Sequence, residues 1–598
     1  MKKLLEKQNN PLEETTIYDQ TKPISNQVTV RTQQNDKNNQ QLHVLIEKHI
    51  ASSSKQKYLI VVFAILIRAC VSLTPYSGEN NPPNFGDFEC HRTWMEVTFN
   101  LPVNQWYNDT AYSNSSYWPI DYPPLCAYTH YAMAQVVYYF EPNALQLGKS
   151  HGYNNGQFRT IMRTLMIILE FIVFVPALHA FLNFYYKDTP KTQRNVYFLV
   201  ILMLPSQIYI DHGHFQPNQV MHGLVIWAIY CMMKKQIALA VVFMVLAVQF
   251  KQMALYFGLP FAVYALLLIL KDAKGTFIQK VTQISGRIIV LVIVFILTNL
   301  VIFLPFIQNS GIQGMLQVLI RIFPVKRGLF ENNVASFWCV LHNIYKVKSI
   351  YPQETQLKLA LSATVLGCIP SIYYICRTPN NKQFLLALFN VSMSFFMFSF
   401  HVHEKQILLP MLCFALSIEE FKGFYALMIT YCSFSMCKLY GMDNNYMAYP
   451  PLTIGFFYFI KKLESIMLNN NSLSENNSKL IFDDQFQVIR KRDLQQHNQD
   501  YKQNINQIQC KTWLREYILN LRNYICTVAI LAILAFHIIM PIFPPPPRLF
   551  DLYWAINNAM SFGVFAFISL YAHLLMHENN NTDSRQVVEG AHKVKKSQ

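Results

Sequence analysis

What most limits the shape of this chain is the recurrence of apolar runs, each close to the length of a membrane crossing, from about residue 57 to residue 576. A hydrocarbon core takes roughly 20 apolar residues in helical form, and backbone in lipid must satisfy its own hydrogen bonds, so such runs read as helices. Spans are expected at about 58 to 73, 160 to 182, 195 to 210, 218 to 233, 236 to 250, 254 to 270, 286 to 306, 358 to 376, 383 to 400, 405 to 418, 424 to 439, 445 to 460, 521 to 543 and 551 to 576. Several are short and invite tilting or breaks at polar positions. The expectation is an all-α polytopic membrane protein of about 14 transmembrane helices. A composition 52% hydrophobic and 14% charged excludes an ordinary soluble chain.

The net charge of +16 would suggest nucleic acid in a soluble protein. Here Lys187 to Arg194, Lys234-Lys235, Lys271 to Arg287, Arg377 to Lys382 and Lys461-Lys462 are basic, whereas Asp211 to Asn218 between them is not, so the charge reads as topology and no nucleic-acid partner is expected. Lys48, Lys55 and Lys57 precede the first span and place the amino terminus in the cytosol, and fourteen crossings return the carboxyl terminus there. The luminal side then holds loop 75–158, loop 307–356 with a half-inserted helix around Phe337 to Tyr345, DHGHFQPN (Asp211 to Asn218) and HVHEK (His401 to Lys405). Sequons at Asn108 and Asn114 agree. Residues 1–56 read as a disordered tail without a cleavable signal, 57–462 as the transmembrane catalytic domain, 463–515 as a polar Asn/Gln-rich insertion, 516–577 as the last two helices and 578–598 as a cytosolic tail. Twelve cysteines without a CxxC pair give no metal signature; Cys90 and Cys126 read as free thiols rather than a disulfide.

Chemistry concentrates in Asn84 to Pro124, a polar and aromatic interval between spans. Asp87 follows a glycine and opens a segment in which Phe88, His91, Trp94, Met95, Thr98 and Phe99 recur at helical spacing, with Glu89, Arg92 and Glu96 on another face. This predicts an amphipathic helix lying on the membrane surface. Taken alone, Asp87 suits a helix cap and Asp121, before Tyr122-Pro123-Pro124, a turn. Asp211, His212, His214 and Gln216 cluster at one luminal helix end, and His401, His403, Glu404 and Lys405 at another; ionisable groups at such depth are functional candidates. The alternative is anchoring and hydrogen bonding within the bundle. A zinc site joining the two clusters lacks His-Glu-x-x-His spacing, so no metal is expected. Arg321, Lys326 and Arg327 form a luminal basic cluster that suits an anionic lipid phosphate better than topology.

The segments NPPNFGDFE, MEVTFNLPVNQWY, YWPIDYPPL, DHGHFQPN, FPVKRGLFENNVASFWC and FSFHVHEK together resemble, in order and spacing, the endoplasmic-reticulum dolichyl-phosphate-glucose-dependent α-1,3-glucosyltransferases. The resemblance covers roughly residues 57 to 460 and both final spans. Gly86, Gly213 and GLFENNVASFWC are similar to the branch adding the first glucose to the lipid-linked oligosaccharide Man9GlcNAc2-PP-dolichol. Cys90-His91 departs from that branch, and His91 is similar to the branch adding the second.

The resemblance implies a C-type glycosyltransferase fold and inverting transfer from dolichyl-phosphate-glucose, with no cofactor. Asp87 would be the general base for the mannose 3-hydroxyl. Lys405, His403 and Arg321 would face the departing phosphate, with Lys326 and Arg327 behind. Asp121 would orient sugar hydroxyls or a cation on Arg92. Trp94, Trp106, Tyr107 and Trp118 would stack on sugars or anchor at the interface. Asp211, His214 and Glu404 complete the expected substrate contacts. Lys595-Lys596 resembles a dilysine retrieval signal, and a monomer is expected. A lipid or sugar transporter also fits the many spans, but no internal repeat supports it.

Overall fold

The computed structural model describes residues 55–113, 116–323, 328–446, 448–463 and 521–596. The expected disordered tail, the insertion, the Asn114 sequon, Lys326 and Arg327 therefore lie outside the described residues, apart from short edges. The chain divides into a unit ending at Leu59 and one compact unit, Ile60–Gln598.

The described structure is helical, with one isolated parallel bridge between Phe330 and Val402. In order come α1 (Lys55–Val71), α2 (Gly86–Asn100), α3 (Pro124–Phe140), α4 (Gly156–Tyr185), α5 (Lys191–Leu202), α6 (Asn218–Met233), α7 (Ile237–Phe250), α8 (Gly258–Asp272) and α9 (Phe277–Ile322). Then follow α10 (Phe337–Tyr345), α11 (Gln353–Arg377), α12 (Asn381–Phe398), α13 (Leu408–Leu416), α14 (Tyr425–Phe434) and α15 (Cys437–Met442). Last come α16 (449–463), α17 (Leu521–Ile542) and α18 (Leu552–Lys596).

Six described helices are long and apolar enough to cross a membrane, or seven if α5 and the bent segment Pro205–Phe215 form one span. The remaining apolar helices among the described residues, such as α7 and α14, are shorter than a full-length crossing. The lipid-facing character is plain on α9, where Ile289, Val292, Phe295, Ile296 and Val301 are exposed apolar side chains. The core sits where α4, α6 and α7 meet and where α12 packs between α11, α13 and α18. Gly223 lets α6 lie on the α4 backbone, since a Cβ there would meet Phe174 Cα at 2.7 Å.

Three boundaries depart from the sequence expectation. Helix α9 runs on to Ile322 through a break at Gly311 (φ 61), so the loop drawn from residue 307 begins only after it. The polar stretch Gln308 to Gln317 is helical on both sides of that break. α4 starts at Gly156, because Asn155 accepts from the Phe158 N–H and caps it. α18 continues to Lys596, so the expected tail from residue 578 is largely helix.

Candidate active site

Helix α2 begins in a turn that only glycine permits. Gly86 has φ 67, and a Cβ there would stand 2.5 Å from Ser77 O. The cap residue is Phe85, so Asp87 is not the N-cap; it lies in the first turn, where a helix favours negative charge. Ser77 Oγ accepts from the Asp87 N–H at 3.2 Å and fixes the side chain's origin.

Three donors converge on one oxygen of that carboxylate. Asp87 Oδ2 accepts from Lys405 Nζ at 2.7 Å, His214 Nε2 at 2.9 Å and Gln216 Nε2 at 2.5 Å. Among the described residues no hydrogen bond reaches Oδ1, and the side chain keeps 18% exposure. Burial alone would push the carboxyl up; the Lys405 and His214 charges overcome it and hold it well below the ordinary carboxylate range. Reciprocally, burial disfavours the Lys405 ammonium, but Asp87 and Glu404 more than offset this and raise it.

His214 sits between two carboxylates, with Nδ1 2.6 Å from Asp443 Oδ2. Each nitrogen donates, so the ring is a charged bridge from Asp443 to Asp87. Asp443, 3% exposed just after α15, is a site residue the sequence reading missed. Buried Lys251 is another, donating to Asn218 Oδ1 at 2.6 Å and lying 4.6 Å above the Tyr122 ring. His214 and Gln216 come from a π-helical turn, Tyr209–Phe215, and the residue after it. Such turns splay side chains that a regular helix would stack.

Other candidates have structural roles. Asp211 accepts from Asn218 Nδ2 and the Gln219 N–H, both at 2.8 Å, and caps α6 rather than meeting substrate. His212 donates to Glu170 at 2.7 Å, beside Arg68, whose two bonds to that carboxylate are 2.6 Å long. Arg92 is fully buried between Glu89 and Glu96 and also binds Ser150 Oγ, so it neither pairs with Asp121 nor reaches substrate. Trp94 is 1% exposed and donates to Pro119 O; Trp106 and Tyr107 are equally enclosed, so none of the three is a sugar platform. α2 is buried all round instead of lying on a surface, because the loop that follows folds over its polar face: Tyr117 donates to Glu89, and the Gly148 N–H to Glu96.

Trp118 is half-buried, tied through its indole N–H to Asn84 O. Asp121 is half-buried; burial first, then the Asp121 and Asp87 charges together, pushes the neighbouring Tyr122 phenol up. Gln252 Nε2 joins Asp121 O at 3.2 Å to Ile322 O at 3.4 Å, which brings the end of α9 to the Asp121 turn. Arg321 there bonds Asp109 Oδ1 and Tyr107 O, without contact to the Asp87 cluster. His403 faces Glu331 at 3.0 Å, and Glu404 is half-buried beside Lys405. Cys90 and Cys126 are buried free thiols, as expected.

An apolar cavity of about 490 Å³ opens along α8, α11 and α12, lined by Leu361, Val365, Ile369, Phe395, Ser399 and Phe400. Its last two residues lead directly into His401–Lys405.

Residues 61–571 match the model of the ALG6, ALG8 glycosyltransferase family. The chain is 37% identical over 427 residues to the probable dolichyl pyrophosphate Man9GlcNAc2 alpha-1,3-glucosyltransferase of Dictyostelium discoideum, covering 70% of this chain and 80% of that one. The Gallus gallus enzyme called dolichyl pyrophosphate Man9GlcNAc2 alpha-1,3-glucosyltransferase is 36% identical, covering 67% and 77%. A probable enzyme of the same description from Arabidopsis thaliana is 35% identical, covering 67% and 73%.

Proposed function

Because the chain belongs to the ALG6, ALG8 glycosyltransferase family, a membership that removes the transporter reading, we propose that it moves glucose from dolichyl-phosphate-glucose to a terminal mannose 3-hydroxyl of Man9GlcNAc2-PP-dolichol. The place is the luminal face of the endoplasmic reticulum membrane, on a C-type scaffold whose termini are cytosolic. The observation that carries the reading is the Asp87 carboxylate, saturated on Oδ2 and open on Oδ1.

A sugar hydroxyl is too weak an acid to ionise beforehand, so inversion by one displacement needs an aimed base. Asp87 Oδ1 takes the proton as the 3-oxygen attacks the anomeric carbon, and the bond from that carbon to the phosphate oxygen breaks with its electron pair. Dolichyl phosphate leaves as a stable anion, so it needs positive charge rather than a proton. Lys405 is that charge. In the resting site it holds Asp87 back; a phosphate arriving beside it draws the ammonium away and makes Asp87 more basic only when donor is present. The apolar cavity that ends at Phe400 supports this order, since it would guide a polyprenyl chain to the Lys405 turn. Trp118 and Asp121 remain the residues best placed to meet the acceptor sugar.

The test is purified protein in lipid nanodiscs with dolichyl-phosphate-glucose and acceptors carrying zero or one glucose. Product only from the unglucosylated acceptor supports the proposal. Product only from the monoglucosylated one transfers the chain to the second-glucose activity, and none from either overturns it.

A further inference from the structure

The two histidines of HVHEK find their partner in neither DHGH nor the Asp87 cluster. Glu331, from the GLFENN segment, stands with Oε1 3.3 Å from His401 Nε2 and Oε2 3.0 Å from His403 Nε2. One ligand atom from each of the three residues lies within 4.8 Å of the others. We propose that Glu331, His401 and His403 form a site for a divalent transition-metal cation of the zinc class, a clamp that fixes the turn carrying Lys405. This revises the expectation of no metal.

The separations suit a cation. Zinc bonds to nitrogen and carboxylate oxygen are about 2.0–2.2 Å, which puts tetrahedral ligand atoms about 3.3 Å apart. The tautomer suits it as well. His401 Nδ1 lies 3.2 Å from Gly328 O, which can only accept, so Nδ1 carries the proton and Nε2 points at Glu331. A neutral imidazole lone pair facing a carboxylate is repulsive unless a positive centre lies between them.

The backbone is arranged for this convergence. His401 has φ 60, a left-handed conformation unfavourable for a residue with a side chain. It is held by its N–H to Leu329 O at 2.8 Å and by the Glu331 N–H to Val402 O at 3.2 Å. Val402 is fully buried, and the His401 and His403 rings flanking it stand with their centroids 5.1 Å apart. Side-chain exposures of 22%, 23% and 38% leave room for a solvent ligand in the fourth position. Lys405 follows two residues later, so a cation here would fix where the ammonium starts. That consequence rests on the reaction proposed above; binding itself does not.

The experiment measures binding without substrates. Full-length protein in nanodiscs, stripped with chelator and passed into metal-free buffer, is titrated with Co2+ and with Zn2+, reading visible absorption and metal retained per chain. One equivalent of Co2+ with a tetrahedral spectrum, displaced by Zn2+, is the expected result. Glu331→Gln and His403→Ala should each weaken binding about tenfold or more while the protein still elutes as a folded particle. A wild-type protein that retains no metal and gives no Co2+ spectrum overturns the site, as does binding that both variants keep. If a variant fails to fold, the wild-type Co2+ spectrum still decides: visible tetrahedral bands without the near-ultraviolet charge-transfer band that a cysteine thiolate would add support the site, and any other spectrum overturns it.

Discussion

Replacing Lys405 by methionine removes one of the two cations that the resting site gives to Asp87, and the one proposed to meet the leaving phosphate. The ammonium stands 2.7 Å from Asp87 Oδ2, with the pair about four-fifths buried. Opposite charges near 4 Å interact by about 4 kcal/mol at the effective dielectric of such partly buried sites. Loss of one preorganised charge stabiliser typically costs 2.7–4 kcal/mol of transition-state energy, about 10²–10³ in kcat. The same change moves the pH dependence. In the wild type, Asp87 is held below the ordinary aspartate value of about 3.9, so it stays ionised as the medium is acidified. The stability the pair contributes is present above that ordinary value and is lost as pH falls through the depressed one. Without Lys405 the carboxyl titrates higher, and the acid limb of kcat/KM moves upward. Rates across a pH series in nanodiscs, at saturating and at subsaturating donor, give both numbers. A K405M enzyme close to wild type in kcat, with an unmoved acid limb, would refute the dual role.

Three further changes separate chemistry from architecture. Asp443→Asn leaves His214 a weaker bridge to Asp87, and should lower kcat about 10- to 100-fold while shifting the pH profile, with donor KM little changed. Gly86→Ala drives a methyl into Ser77 O and tilts the start of α2; turnover in nanodiscs should fall well below wild type although the melting temperature moves only a few degrees. Arg92→Met leaves Glu89 and Glu96 buried without their cation, a loss of about 3–5 kcal/mol read as reduced thermal stability in detergent, because the guanidinium serves the fold and not the sugar.

What the sequence showed and hid follows from its physics. Asp87, His214 and Lys405 were legible because each sits in a polar motif at the end of an apolar run, where an ionisable side chain has little structural excuse. Asp443 was not, since a lone aspartate in the stretch Gly441 to Asn445 looks like any helix-ending turn. Arg92 and Trp94 were assigned to substrate because periodicity reports one face of a helix at a time. It cannot show that Tyr117 and Gly148 return to cover the other. Asp211 is a cap that a π turn presents to α6, geometry that no count of hydrophobic positions contains. The partnership of His401 and His403 with Glu331 spans seventy residues and depends on one bridge between extended segments.

The most direct measurement is single-turnover glucosyl transfer by purified Asp87→Asn protein, which keeps the shape of the side chain and removes its basicity. The account predicts a fall of about 10²–10⁴ in rate, roughly 3–5 kcal/mol, with the variant still inserted and still binding donor. Transfer at a rate near that of the wild type would contradict it.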